Sequence, residues 1–223
     1  MASTAVFATT ELLEHILSSL ALVDLAHAER VSRKWCDVIA SSVQMKQALF
    51  TEAVPAELFA IVPDAAKRTN KRELLLSADK SWPIMVVDVH PALVATATSA
   101  PGLSTDITCT IDIDLPTGSE KWRNCYVSQP PCKKVELVLQ IQENWDQRRG
   151  QVFIEDDIGV KFGDIADGVM TTRSQNRSVG SLETRSSVAT WELDSITMWD
   201  CVQSNDPKVI EAVRAKRVKE MLG

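Results

Sequence analysis

The chain has 223 residues, 45% of them apolar, which is enough for one medium domain or for a small domain beside a larger one. With 30 acidic against 24 basic side chains the formal net charge is −6, which argues against bulk nucleic-acid binding without excluding a local basic patch. No apolar run approaches the length of a membrane span.

Residues 10–20, TELLEHILSSL, read as a helix. On a helical wheel Leu12, Leu13, Ile16, Leu17 and Leu20 fall within an arc of roughly 140°, and Glu11, Glu14, His15, Ser18 and Ser19 take the rest. Thr9 or Thr10 can cap the start, where Glu11 suits the helix dipole. Asp24 reads as the N-cap of a second short helix carrying Leu25 and Ala28. In VSRKWCDVIASS, residues 31–42, Val31, Trp35, Val38 and Ile39 lie within about 100° of one another, while Arg33, Lys34, Asp37 and Ser41 point away. Ser41 and Ser42 end that helix or cap the next, SVQMKQALF, which places Met45 and Leu49 one turn apart. Three or four short helices of this size bury little surface alone, yet they carry many large apolar side chains. Either all of these face the protein's core, or part of the apolar face is held out for a partner.

The same residues carry a resemblance. Glu11-Leu12-Leu13, Ile16-Leu17, Leu20, Asp24-Leu25, Val31-Ser32-Arg33 and Trp35 match, in identity and spacing, the pattern of an F-box, from about Phe7 to Phe50. The resemblance implies that these helices dock on a Skp-type adaptor, which joins them to a cullin-based ubiquitin ligase, and that the remaining chain captures a protein substrate. The partner-binding residues it implies are Phe7, Leu12, Leu13, Ile16, Leu20, Leu25, Val31 and Trp35. Trp35 also holds the short helices together, beside Val38 and Ile39. Such an interface is helix-in-groove packing with aliphatic anchors. Many F-boxes open on Leu-Pro; here Ala8 and Thr9 stand in those places, with Phe7 or Val6 as the nearest apolar residue.

Beyond the helices, residues 51–80 read as a linker broken by Pro55 and Pro63, with Lys67, Arg68, Lys71 and Arg72 forming its solvated face. Strands follow. PIMVVDV (83–89) is a compact apolar run. ITCTIDIDL (107–115) alternates Ile107, Cys109, Ile111, Ile113 and Leu115 against Thr108, Thr110, Asp112 and Asp114. CYVSQPP is a strand stopped by Pro130 and Pro131, and KKVELVLQI alternates again through Val135, Leu137, Leu139 and Ile141. GQVFIEDDIGVKFGDIADGVM reads as strand, acidic turn, short strand and a helix capped by Asp164. Residues 171–190 read as a Ser/Thr/Arg-rich loop. Asp206-Pro207 opens a terminal helix with Val209, Ile210 and Val213 as its buried stripe. WRNCYVSQPP (122–131) and GVKFGDI (159–165) resemble pieces of filamentous-fungal F-box proteins that share a compact C-terminal region.

The fold class expected is therefore α+β: an N-terminal three-helix F-box (5–50), a linker (51–80) and a mixed strand/helix domain (81–223) presenting an unknown target protein. Asp112 and Asp114 share one side of their strand and could hold a metal in an enzyme fused to the F-box. Solvent-facing positions explain them with no further assumption. Glu155, Asp156, Asp157, Asp164 and Asp167 lack the spacing of a calcium loop and read as a charged turn. His15, His27 and His90 form no metal pair, and no nucleophile motif or phosphate loop is present. The expectation is a non-enzymatic adaptor with no catalytic residue, metal or cofactor, and with no nucleic-acid or membrane partner. A scaffold bound to the adaptor outside any ligase is the alternative. Cys36, Cys109, Cys125, Cys132 and Cys201 are odd in number with no C-x-x-C pair, which fits reduced, mostly buried thiols. Glu11, Glu14 and His15 break the N-terminal apolar region, so no signal peptide is read there, and residence is expected in the cytoplasm, the nucleus or both.

Overall fold

The computed structural model describes residues 9–56, 58–63, 72–75, 83–95, 106–111, 120–143, 146–179 and 190–222. They fall into two compact units, Met1–Val54 and Pro55–Gly223.

In the first unit four short helices follow one another: α1 (Thr10–Leu17), α2 (Leu22–Ala28), α3 (Arg33–Ser41) and α4 (Val43–Ala48). Serines punctuate them. Ser32 stands extended before α3 and its hydroxyl accepts the Trp35 N–H at 3.3 Å. The Ser42 N–H closes α3 on the Val38 carbonyl at 3.1 Å, and its hydroxyl opens α4 by accepting the Met45 N–H at 3.4 Å. Each hydroxyl satisfies an amide that a helix start leaves without an intrahelical partner. Asp24 is not the cap of α2. That helix opens about one turn earlier, after an extended Ala21, and Asp24 sits in its first turn, where its charge suits the dipole.

Leu13, Leu17, Leu25, Ala28, Val38, Ile39 and Met45 close into one core, with Leu20, Trp35 and Leu49 packed against it half-buried. Trp35 therefore packs against the helices of its own unit. Burial of each large aliphatic side chain here contributes about 2 kcal/mol, which is how helices too short to stand alone hold together.

The second unit contains two sheets. The segment read as a linker carries two strands, which corrects that reading. β1 (Leu58–Pro63) pairs antiparallel with β2 (Arg72–Leu75) and with the start of β3 (Pro83–Val89). Pro63 is tolerated because it is the last residue of its strand, where a missing N–H costs the ladder little. The sheet runs β10-β3-β1-β2, where β10 (Cys201–Gln203) is parallel to β3, and β6 (Ser128–Gln129) pairs with Asp88 and Val89 of β3. CYVSQPP thus contributes two strand residues and a single bridge from Tyr126 to Lys161.

The second sheet is antiparallel throughout. Its order is β4 (Leu93–Ala95), β5 (Ile107–Ile111), β9 (Thr190–Met198), β7 (Lys134–Glu143) and β8 (Asp146–Glu155). Alternation along β7 sends Val135, Leu137 and Leu139 inward, each fully buried, together with Ile196 and Met198 of β9 and Cys109 of β5. On the opposite face, Lys134 pairs with Glu155 at 3.0 Å. A short α5 (Glu120–Arg123) precedes β6, and the long α6 (Phe162–Val179) lies on the inner face. Phe162 and Ile165 of α6 enter the same core, and Gly168 lets the helix approach Ile154 and Leu137 closely.

Two sequence expectations change here. Residues 171–179 continue α6, and so are not loop; residues 180–189 lie outside the described set. Asp164 is the third residue of α6 and reaches back to accept the Lys161 N–H at 2.8 Å, the acidic half of a capping box. The terminal helix α7 (Pro207–Leu222) begins after Asp206 as read, but Ile210 is exposed. Its buried stripe is Val209, with Ala212 and Val213 packed beside it, against Ile84, Val86 and Val202.

The chain passes from the second sheet to the first through a two-residue turn, Trp199-Asp200, in which Asp200 has φ 55°. The Trp199 N–H bonds to the Lys134 carbonyl at 3.2 Å and the Met85 N–H to the Asp200 carbonyl at 2.9 Å, so the turn holds strands of both sheets.

His90, after β3, packs edge-on against Phe162 at 4.9 Å, and its Nδ1 accepts the Ala92 N–H at 3.1 Å. Burial lowers its pKa to about 4. The unfolded chain therefore binds this proton first, so the contribution of His90 is full above the ordinary histidine range and is lost as pH falls through about 4. The loss amounts to about 3 kcal/mol. His90→Asn keeps an acceptor for the Ala92 amide and removes the titration. Urea denaturation at pH 7 and pH 4 is expected to show a smaller acid loss in the variant than in the parent.

Candidate partner-docking surface

The sequence marked eight residues for partner contact, and the fold separates them by exposure. Leu12 and Ile16, one turn apart on α1, stand out at 48% and 37% exposed, and Val31, after α2, at 63%. Leu13 and Leu25 are at 0% and 1%, inside the helical core, with no surface to offer a partner. That corrects their assignment. On the wheel they share an apolar arc with the exposed residues, and only the packing of α1 against α3 divides the arc into an inner and an outer part. Leu20 and Trp35 are half-buried supports of the core. Val38 and Ile39 are buried, as expected of internal supports. Phe7 lies outside the described residues, with Val6 and Ala8.

Val23 on α2 and Val43 at the start of α4 are also exposed, and the sequence reading passed over both. Their signal was available: each is an apolar residue on the side of its short helix away from the buried residue two positions on, Leu25 or Met45. Among its described residues the helical unit therefore carries five exposed large aliphatic side chains over four helices and their connections. Lone exposed leucines and valines are ordinary, and these five are the candidate contacts for a partner because the core beneath them is already closed.

Four residues of the acidic cluster have structural roles. Asp156 accepts the Ile158 and Gly159 N–H groups, both at 2.8 Å, and these bonds hold its carboxyl below the usual carboxylate range. Asp167 takes both oxygens to the Arg123 guanidinium at 2.7 and 2.8 Å. With Glu155 on Lys134 and Asp164 at the start of α6, each of these four acidic groups has a structural partner. Among the described residues no group of histidine, cysteine, aspartate and glutamate could hold a metal ion. Asp112 and Asp114 lie outside that set, as do Lys67, Arg68, Lys71, Trp82 and Trp145. Trp122 packs edge-on against Phe162 at 6.1 Å, and Lys134 sits 6.0 Å over the Trp199 ring.

WRNCYVSQPP and GVKFGDI, far apart in sequence, are joined in space. The Val127 N–H bonds to the Val160 carbonyl at 3.2 Å, the Val160 N–H to the Cys132 carbonyl at 2.8 Å and the Phe162 N–H to the Cys125 carbonyl at 3.0 Å. Gly159 backs onto Pro131 and Gly163 onto the Arg123 carbonyl.

Short helices closed over an aliphatic core, with further aliphatic residues left outside, make the first unit a protein-interaction module. It is an F-box-like domain: residues 10–50 match the family model of that description. No curated protein and no solved structure matches the chain. Among the described residues no helix is long and apolar enough to cross a membrane.

Proposed function

We propose that the chain is a non-enzymatic substrate adaptor of a Skp–cullin–F-box ubiquitin ligase. The F-box-like helices dock on a Skp-type adaptor through Leu12, Ile16 and Val31, and the Pro55–Gly223 unit presents a target protein. The observation that carries this reading is the F-box-like match over residues 10–50 together with the exposed aliphatic residues of the same helices.

The test is co-expression of the full chain with a Skp-type adaptor and a cullin, read by size-exclusion chromatography with light scattering. A one-to-one complex that also retains a cullin is the expected result. A binary complex that excludes the cullin would make the chain a scaffold outside the ligase. The absence of any complex would remove the adaptor reading.

A further inference from the structure

The five cysteines are all free thiols, and two of them meet at the turn between the sheets. Cys132 lies just before β7 and Cys201 opens β10, and both are fully buried. The Cys132 Sγ donates to the Lys134 carbonyl at 3.0 Å and lies 4.0 Å from the Trp199 carbonyl oxygen. The Cys201 Sγ donates to that same oxygen at 3.2 Å, and the two thiols are within hydrogen-bonding reach of each other. We propose that Cys132 and Cys201 are a redox modification site, converted to an intrachain disulfide by a small hydroperoxide and so pinning the joint between the two sheets of the second unit.

The bond between the thiols pulls Cys132 down and, with burial, pushes Cys201 well above the ordinary thiol range, so the first proton leaves Cys132. The Cys132 thiolate attacks one peroxide oxygen, the O–O bond breaks, and hydroxide departs, leaving a sulfenic acid. The Cys201 sulfur then attacks the Cys132 sulfur, the S–O bond breaks, and water leaves with the Cys201 proton. Two thiols lose one electron each, and one peroxide becomes two waters. Hydrogen peroxide is small and neutral, which suits a site with no exposed sulfur.

The experiment uses the full chain carrying Cys36→Ser and Cys125→Ser, so that the more accessible thiols do not consume the oxidant. It is treated with hydrogen peroxide and measured by intact mass and by peptide mapping without reductant. The expected result is a mass loss of about 2 Da, a linked pair of Cys132 and Cys201 peptides, and full reversal by dithiothreitol. In parallel, Cys201→Ser is expected to leave a sulfenic acid on Cys132 that dimedone traps. Oxygen adducts on either cysteine without the linked peptide, a link through Cys109, or thiols that remain unmodified in the folded chain would each overturn the proposal.

Discussion

Leu12→Asp and Ile16→Asp are each expected to weaken adaptor capture by at least about 30-fold, the loss of an aliphatic hot-spot contact with a charge set in its place. Circular dichroism of either variant should match the parent, because both positions are exposed and polar substitutions there strain nothing in the core. Leu13→Asp has the opposite signature. Its side chain has 0% exposure, so the variant buries an unpaired carboxylate and unfolds the helical unit. It loses binding and helicity together. The informative comparison is between neighbours, Leu12 and Leu13: one sequence position separates a binding defect from a folding defect. Equal loss of helicity in both would show that the outer face is not a docking face. Intact binding in both Leu12→Asp and Ile16→Asp would show that the adaptor docks elsewhere.

Gly159→Ala is expected to destabilise the second unit by at least about 3 kcal/mol. Two costs combine. Gly159 has φ 139°, a conformation side chains rarely adopt, and an added Cβ would run into Pro131. Relief would require the loop before β7 to retreat, breaking the Val160-to-Cys132 bond at 2.8 Å that closes the core there. Gly168→Ala is the control. Its added Cβ would meet only side-chain ends, those of Ile154 at 3.0 Å and Leu137 at 3.7 Å, and alanine in mid-helix recovers up to about 1 kcal/mol of propensity. Urea denaturation followed by tryptophan fluorescence reports on the second unit, because Trp35 is the one tryptophan of six outside it. The midpoint of Gly159→Ala should fall far below that of Gly168→Ala. Equal midpoints would refute the close approach of Gly159 to Pro131.

Much of the candidate surface was legible before the fold. Apolar spacing located α1, α3 and α4, and the residues that match an F-box did so by identity as well as interval. A compact apolar run located β3, and strict alternation located β5 and β7, since period-two patterning over five or more residues has few other readings. Other elements were hidden. The strands at 58–63 and 72–75 read as linker because prolines and a basic run dominate the local signal, whereas their order comes from pairing with each other and from the non-local pairing of β1 with β3. Residues 171–179 read as loop because the stretch is rich in serine, threonine and arginine, and the hydroxyl residues favour turns when considered alone. Continuation of α6 over the inner face of the sheet overrides that preference.

By itself the sequence determined which segments are amphipathic, where helices can begin, and that the N-terminal helices resemble a docking domain. These properties reside in single residues and their near neighbours. Only the tertiary structure decided that Leu12 and Ile16 face outward while Leu13 and Leu25 face in. Only it brought Gly159 against Pro131, and Cys132 to Cys201 across 69 positions of chain (201 less 132). Each of these depends on contact between segments distant in sequence, and periodicity within a segment carries no information about which distant segment will cover it.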